Sequence, residues 1–270
     1  MLTVNIGPLA LAVAHVLLLG SLLLAVLTGW WVSRRGGGNP ERQMFHLLVV
    51  TLLVARLAFV ITYFEHYRGD LWGVFDIRDG GFLAWPGIVA ALVLGAWLAW
   101  RDRPVRKPLG IALVVGVLSW GFGNYFWFSM AQGTRLPEIA LQDHEGVPVA
   151  LADYRGKRLV INLWATWCPP CQREMPVFEA AQAEHEEILF LFVNQGESVE
   201  RVRSFLQSHG LMLENVLLDR GARLGQRVGS MGLPTTLFYD AQGRQVGSHV
   251  GELSRASLAR SLEALEARNL

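Results

Sequence analysis

Up to about residue 130 the chain repeats one pattern, a long apolar run followed by a short charged loop. The runs cover residues 9–32, 44–64, 82–100 and 109–130, and His15 is the only readily titratable residue in the first. Each approaches the roughly 20 residues that a helix needs to cross the hydrocarbon core of a bilayer, so four transmembrane helices are expected. The first run is not expected to be a signal peptide: no basic residue precedes it, it is too long, and it has no clear small-x-small cleavage site before the charged loop. After residue 136 the pattern shortens. Strands are predicted at 139–141, 147–151, 158–164, 188–193, 216–218, 235–239 and 245–250, and helices at 170–186, 198–209, 222–228 and 254–267. The continuous apolar character of 158–164 and 188–193 suits buried central strands. The architecture expected is an all-α bundle of four transmembrane helices over residues 1–130, a linker at 131–136, and an α/β domain with a central mixed sheet flanked by helices over 137–270.

Composition sharpens this division. Of 270 residues, 52% are hydrophobic and 17% charged, with the apolar excess concentrated before residue 131. A net charge of +1 offers nothing to a phosphate backbone, which argues against a nucleic-acid partner. The loops differ in sign. The first holds Arg34, Arg35 and Arg42 against Glu41, and the third Arg101, Arg103, Arg106 and Lys107 against Asp102. The second holds Asp70, Asp76 and Asp79 against Arg68 and Arg78. Lys and Arg collect on the cytoplasmic side. Loops one and three are therefore expected inside, and loop two and both termini outside. For a bacterial inner membrane that places the C-terminal domain in the periplasm, where disulfide chemistry is permitted.

The two cysteines of the chain are Cys168 and Cys171, in the stretch Asn162-Leu-Trp-Ala-Thr-Trp-Cys168-Pro169-Pro170-Cys171-Gln-Arg-Glu174-Met-Pro176. A strand that delivers Cys-x-x-Cys into the start of a helix is a redox arrangement. The helix N-terminus favours a thiolate on Cys168, and Cys171 follows one turn later, within reach of a disulfide. The competing use of such a pair, half of a structural zinc site, needs a second pair of ligands that the sequence does not supply. No metal and no cofactor beyond the cysteine pair itself is expected.

This stretch, together with Gly232-Leu233-Pro234-Thr-Thr-Leu-Phe238, resembles the thioredoxin superfamily, and within it the membrane-anchored TlpA/ResA-type disulfide reductases, over about residues 136–267. The resemblance implies a thiol-disulfide oxidoreductase acting on protein disulfides. Cys168 would attack, Cys171 would resolve, and Glu174 would move the proton that Cys171 loses. Pro234 would be a cis proline, and Leu233 would offer its backbone to an extended substrate, with Trp167, Pro169 and Pro170 completing the substrate surface. Electrons would come from a separate membrane thiol transporter of the DsbD or CcdA type, because no predicted span contains cysteine. The alternatives are a lipid-binding or diacylglyceryl-transferase-like membrane protein with an appended redox domain, and a redoxin-type peroxidase. Such enzymes carry threonine three residues before the reactive cysteine, where this chain has Ala165, and Ile161 replaces their proline.

A second resemblance covers roughly residues 10–130. Residues 55–64, Ala-Arg56-Leu-Ala-Phe-Val-Ile-Thr-Tyr-Phe, and 76–87, Asp-Ile-Arg-Asp-Gly-Gly-Phe-Leu-Ala-Trp-Pro-Gly, resemble segments of prolipoprotein diacylglyceryl transferase. The chain departs from that family at Trp85-Pro86-Gly87, where the family has His-Gly-Gly, and it lacks the family's later helices. The implied reading is a shortened relative without transferase chemistry, whose intramembrane Arg56 binds a lipid headgroup. The competing reading is that Arg56 snorkels to the surface or pairs within the bundle.

Overall fold

The structure, a computed structural model, describes residues 2–6, 9–36, 38–131 and 134–267. Residues 132 and 133 of the expected linker lie outside the described residues. The chain forms two compact units, one of residues 14–129 and one that joins residues 1–13 to residues 130–270.

The first unit consists mainly of four helices: α1 (Val13–Ser33), α2 (Glu41–Thr62), α3 (Ala84–Arg101) and α4 (Arg106–Ala131). All four are long and apolar enough to cross a membrane. Their outward faces carry Leu23, Leu53, Ile61, Val93 and Leu118, each more than half exposed. Exposed apolar surface on this scale suits lipid better than water. Leu47, Val105 and Leu109 form a buried cluster that Leu94, Leu98 and Leu113 flank. Expected and observed boundaries differ most at the start of the first run. Leu9–Ala12 is a strand, because it pairs antiparallel with Thr3–Ile6 and satisfies its backbone across a hairpin; the helix begins only at Val13.

Between α2 and α3 the chain makes two short 3₁₀ turns, Phe64–Tyr67 and Leu71–Phe75. Arg56 organises this loop from α2. Its Nε donates to Val74 O, Nη1 to Gly81 O and to Asp79 Oδ1, and Nη2 to Gly73 O and Asp76 O, all within 2.7–3.0 Å. Five donors meet five acceptors, so the guanidinium is satisfied although the residue is buried. Gly81 is small for a reason: a Cβ there would lie 2.5 Å from both Arg56 Nη1 and the Phe59 ring.

The second unit is built on a seven-stranded mixed sheet. The hairpin β1 (Thr3–Ile6) and β2 (Leu9–Ala12) forms its own two-stranded sheet. The large sheet takes β3 (Ala140–Gln142), β4 (Pro148–Ala150), β5 (Arg158–Trp164), β6 (Ile188–Gln195), β7 (Val216–Asp219), β8 (Thr235–Tyr239) and β9 (Gln245–Val250), in the order β4-β3-β7-β6-β5-β8-β9. β5 runs parallel to β6, and β6 to β7, while the other pairs are antiparallel. The helices are α5 (Pro169–Glu184), α6 (Val199–His209), α7 (Arg223–Val228) and α8 (Arg255–Ala267).

Strand alternation sorts the core into two layers. Val160, Trp164, Phe190, Phe192 and Phe238 point to one face and meet Phe178 of α5, Phe205 of α6 and Leu258 and Leu262 of α8. Leu159, Ile161, Leu163, Leu191 and Val193 point to the other and meet Leu224 of α7. β5 and β6 are buried along nearly their whole length, as their unbroken apolar runs imply. The same alternation puts Asn162, between Val160 and Trp164, on the face that α5 covers.

Candidate active site

β5 ends at Trp164, and four residues later Cys168 caps α5. Pro169 and Pro170 occupy the first two helical positions, where a missing N–H costs nothing. Cys168 and Cys171 form a disulfide with their Cα atoms 5.3 Å apart. Cys171 N donates to Cys168 Sγ at 3.3 Å. Cys171 is fully buried and Cys168 nearly so, whereas Trp167 beside them is 64% exposed. Pro169 is also exposed, and Pro170 half-buried.

Glu174 lies one turn below Cys171 and is fully buried. Its Oε1 accepts from Asn162 Nδ2 at 2.8 Å and its Oε2 from Leu253 N at 3.1 Å. Asn162 Nδ2 also donates to Thr236 Oγ1 at 3.2 Å, on the neighbouring strand β8. Burial pushes the Glu174 carboxyl up to about 8, against the two hydrogen bonds, which favour the ionised form; the Glu252 carboxylate pushes it further up. A carboxyl near 8 exchanges its proton close to neutral pH.

The Leu233–Pro234 bond is cis. β5 and β8 pair Leu163 with Thr235, so this bond falls at the end of the sheet from which the chain leaves β5 for the cysteines. Leu233 packs against the cluster that holds both cysteines. Its backbone N–H and C=O have no hydrogen-bond partner among the described residues. Met231, two residues earlier, is 62% exposed.

The structure thus gathers Trp167, Cys168, Pro169, Pro170, Cys171, Glu174, Leu233 and Pro234 in one unit. Arg56 belongs to the other unit, and with five donors engaged it has no N–H left for a headgroup.

Sequence reading did not single out Glu197. Its buried carboxylate follows β6 and accepts from Thr166 N at 2.7 Å, Thr166 Oγ1 at 2.6 Å and Asn194 Nδ2 at 2.7 Å. Gln172 Nε2 holds Thr166 O at 2.6 Å. The residue two before Cys168 is therefore pinned at its N–H, hydroxyl and carbonyl. The available signal was the polar run Asn194-Gln195-Gly196-Glu197-Ser198 at the end of an apolar strand, with Gly196 at φ +81° turning the chain back. Away from this site, His185, Glu187 and Glu266 bring ligand atoms within 4.8 Å of one another. Arg158 already lies 3.9–4.0 Å from the two carboxylates and counters their charge.

A disulfide at a helix N-cap, a cis proline at the same end of a mixed sheet and a buried acid beneath the second cysteine define a thioredoxin-like disulfide centre. Comparison with known proteins carries this further. A match to the AhpC/TSA family covers residues 132–245. The thiol-disulfide oxidoreductase ResA of Geobacillus thermodenitrificans is 30% identical over 171 residues, which span 62% of this chain and 98% of the relative. The thioredoxin-like protein YneN of Bacillus subtilis is 29% identical over 163 residues, 57% of this chain and 95% of the relative. Among solved structures, a putative thiol:disulfide interchange protein DsbE from Chlorobium tepidum superposes with a TM-score of 0.45 at 27% identity, covering 50% of this chain and 97% of that one. The chain belongs to the ResA-type family of thioredoxin-like thiol-disulfide oxidoreductases.

Proposed function

We propose that this protein is a membrane-tethered reductase or isomerase of protein disulfides on the outer face of a bacterial inner membrane, working through Cys168-Pro169-Pro170-Cys171. The observation that carries this reading is the pairing of a helix-capping disulfide with the unpartnered backbone of Leu233. An extended substrate chain can add to that backbone as a strand does, with Trp167, Pro169, Pro170 and Pro234 around it. In the reduced enzyme the Cys168 thiolate attacks the substrate disulfide, forming a mixed disulfide and releasing one substrate thiolate. Cys171 gives its proton to the ionised form of Glu174 and attacks Cys168 Sγ. The second substrate thiolate leaves, and the enzyme is left as the disulfide.

The direction follows from the donors around Cys168. Pro169 and Pro170 have no N–H, and the one backbone N–H on Cys168 Sγ is that of Cys171. A sparsely stabilised thiolate makes the reduced form less stable and the couple more reducing, nearer the thioredoxin end (about −270 mV) than the strong-oxidant end (about −120 mV). Both cysteines lie in the second unit, so α1–α4 cannot pass electrons by thiol exchange. Reduction then falls to a separate membrane thiol transporter of the DsbD or CcdA type. The helical unit serves as an anchor, with Arg56 shaping its outer loop. The transferase-like reading of this half has support only from the resemblance of residues 55–64 and 76–87.

The test is a Cys171→Ala trap. The full-length variant should accumulate envelope proteins disulfide-bonded to Cys168, released by dithiothreitol. An empty trap, or a glutathione titration that puts the wild-type potential near the oxidant end, refutes the reading.

A further inference from the structure

The loop that carries the cis bond runs from Gly229, which closes α7, to Pro234. Its backbone is tied down almost residue by residue. Gly229 N donates to Gln226 O at 3.1 Å and Ser230 N to Gly225 O at 2.9 Å, both on α7. Gly232 O accepts from Thr235 Oγ1 at 2.7 Å, and Pro234 O from Gly251 N at 2.9 Å. The other ties come from the far end of the chain. Gly229 O accepts from Leu2 N at 2.7 Å and from Thr3 N at 3.1 Å, and Met231 N donates to Thr3 Oγ1 at 3.2 Å. Thr3 is buried, and Leu2 packs against the cluster that contains Leu224 of α7. Each residue from 229 to 232 is thus held by at least one hydrogen bond, whereas Leu233 has no backbone partner among the described residues.

We propose that Thr3 is a positioning residue for substrate capture: its hydroxyl fixes the Met231 peptide, and with it the direction in which Leu233 presents its N–H and C=O. This rests on the reading of Leu233 as the residue that pairs with an extended substrate. A strand that adds to Leu233 needs those two groups aimed correctly, and a loop ordered in advance does not have to be ordered by the substrate. Threonine suits the position because a hydroxyl serves as donor and acceptor at once. Thr3 Oγ1 receives Met231 N and lies 3.4 Å from Gly229 O, to which it donates. Valine has nearly the same shape and can do neither. The N–H groups of Leu2 and Thr3 belong to the backbone, so Gly229 O keeps both donors whatever side chain stands at position 3. Loss of the hydroxyl therefore frees Met231 while the hairpin stays docked at Gly229.

The test follows single-turnover oxidation of the pre-reduced full chain in detergent. Three substrates are compared: an extended peptide disulfide, the same peptide N-methylated at the amides beside its cysteines, and cystamine, which has no peptide backbone. Thr3→Val should raise the half-saturating concentration of the unmodified peptide by about fivefold, the scale of one net hydrogen bond, with its maximal rate and the cystamine rate held within about twofold. Thr3→Ser, which keeps the hydroxyl, should behave as the wild type does. Unchanged half-saturation in Thr3→Val overturns the proposal. So does an equal loss with cystamine, which would show general damage to the site, or a Thr3→Ser variant as impaired as Thr3→Val. N-methylation should also weaken binding to the wild type by about fivefold or more, since it removes the substrate N–H that meets Leu233 O. If N-methylation costs the wild type nothing, the reading of Leu233 falls and the role of Thr3 falls with it. If it weakens binding while Thr3→Val matches the wild type, the role of Thr3 falls and that of Leu233 stands.

Discussion

Replacing Glu174 by glutamine should make the protein more stable at alkaline pH while impairing its chemistry. The carboxyl rises from an ordinary 4.5 to about 8 because it is buried. That difference corresponds to about 5 kcal/mol against ionising the group in the folded state. The folded value lies above the unfolded one. Between pH 4.5 and 8 the native protein keeps a proton that the unfolded chain has lost, so stability is complete below about 4.5 and declines as pH rises towards 8. The slope reaches about 1.4 kcal/mol per pH unit for this one proton. Glutamine has the shape of the protonated acid and does not titrate, so Glu174→Gln should remove the decline. Thermal melts of the full chain, oxidised and in detergent, should match for the two proteins near pH 4.5. They should diverge in favour of the variant up to about pH 8, then stay apart. Turnover of a disulfide substrate should fall by about a hundredfold or more, the scale of a lost general acid–base group. Melting curves that stay parallel from pH 5 to 9 would show that Glu174 does not carry a strongly raised value, and the proton-transfer argument would fall with it.

A fusion of alkaline phosphatase after residue 267 should be active and a cytoplasmic fluorescent reporter at the same place dark; the reverse would put the cysteines in a reducing compartment. Glu197→Ala leaves Thr166 N–H and the Asn194 amide buried without their acceptor, at about 1–3 kcal/mol per group. A wild-type melting temperature in that variant would show the clamp on Thr166 to be idle. Arg56→Ala removes the cation paired with the buried Asp79 carboxylate, which keeps Gly81 N–H and Tyr67 O–H as donors, with an expected loss of about 3–5 kcal/mol in the helical unit; unaltered detergent stability would argue against that role. Complementation of a strain depleted of prolipoprotein diacylglyceryl transferase should fail, and growth would restore the transferase reading.

Periodicity located the elements of the second unit closely, because β5 and β6 are buried on both faces and announce themselves as unbroken apolar runs. α6 was equally plain, since Ser198 caps its start and Gly210, at φ +64°, its end. The cysteine pair was visible because few other uses of two cysteines at that spacing exist. The importance of Glu174 was not visible from spacing, since a glutamate in the first turns of a helix is commonly exposed. Its burial depends on Asn162 and Leu253, 12 and 79 residues away, which only the folded sheet brings together. Glu197 escaped for the same reason, its partner Thr166 lying 31 residues earlier. Strand β2 was hidden at the start of an apolar run, where a short hairpin strand and the first turns of a membrane helix look alike.

That hairpin has a consequence for how the protein is assembled. Leu2 N and Thr3 N donate to Gly229 O, and Met231 N donates to Thr3 Oγ1 across 228 residues of sequence. The second unit is therefore discontinuous, and the four helices are an insertion within it. If they cross a bilayer as proposed, an odd number of crossings would leave Thr3 and Met231 in different compartments, so the contact permits only an even number. The order of synthesis is constrained too: residues 2–6 emerge first and must wait for residues 229–231, the last part of their binding site, until all four helices are inserted. A single helix that failed to insert would leave residues 2–6 and 229–231 on opposite sides, and the contact beside the loop that leads to Pro234 could not form.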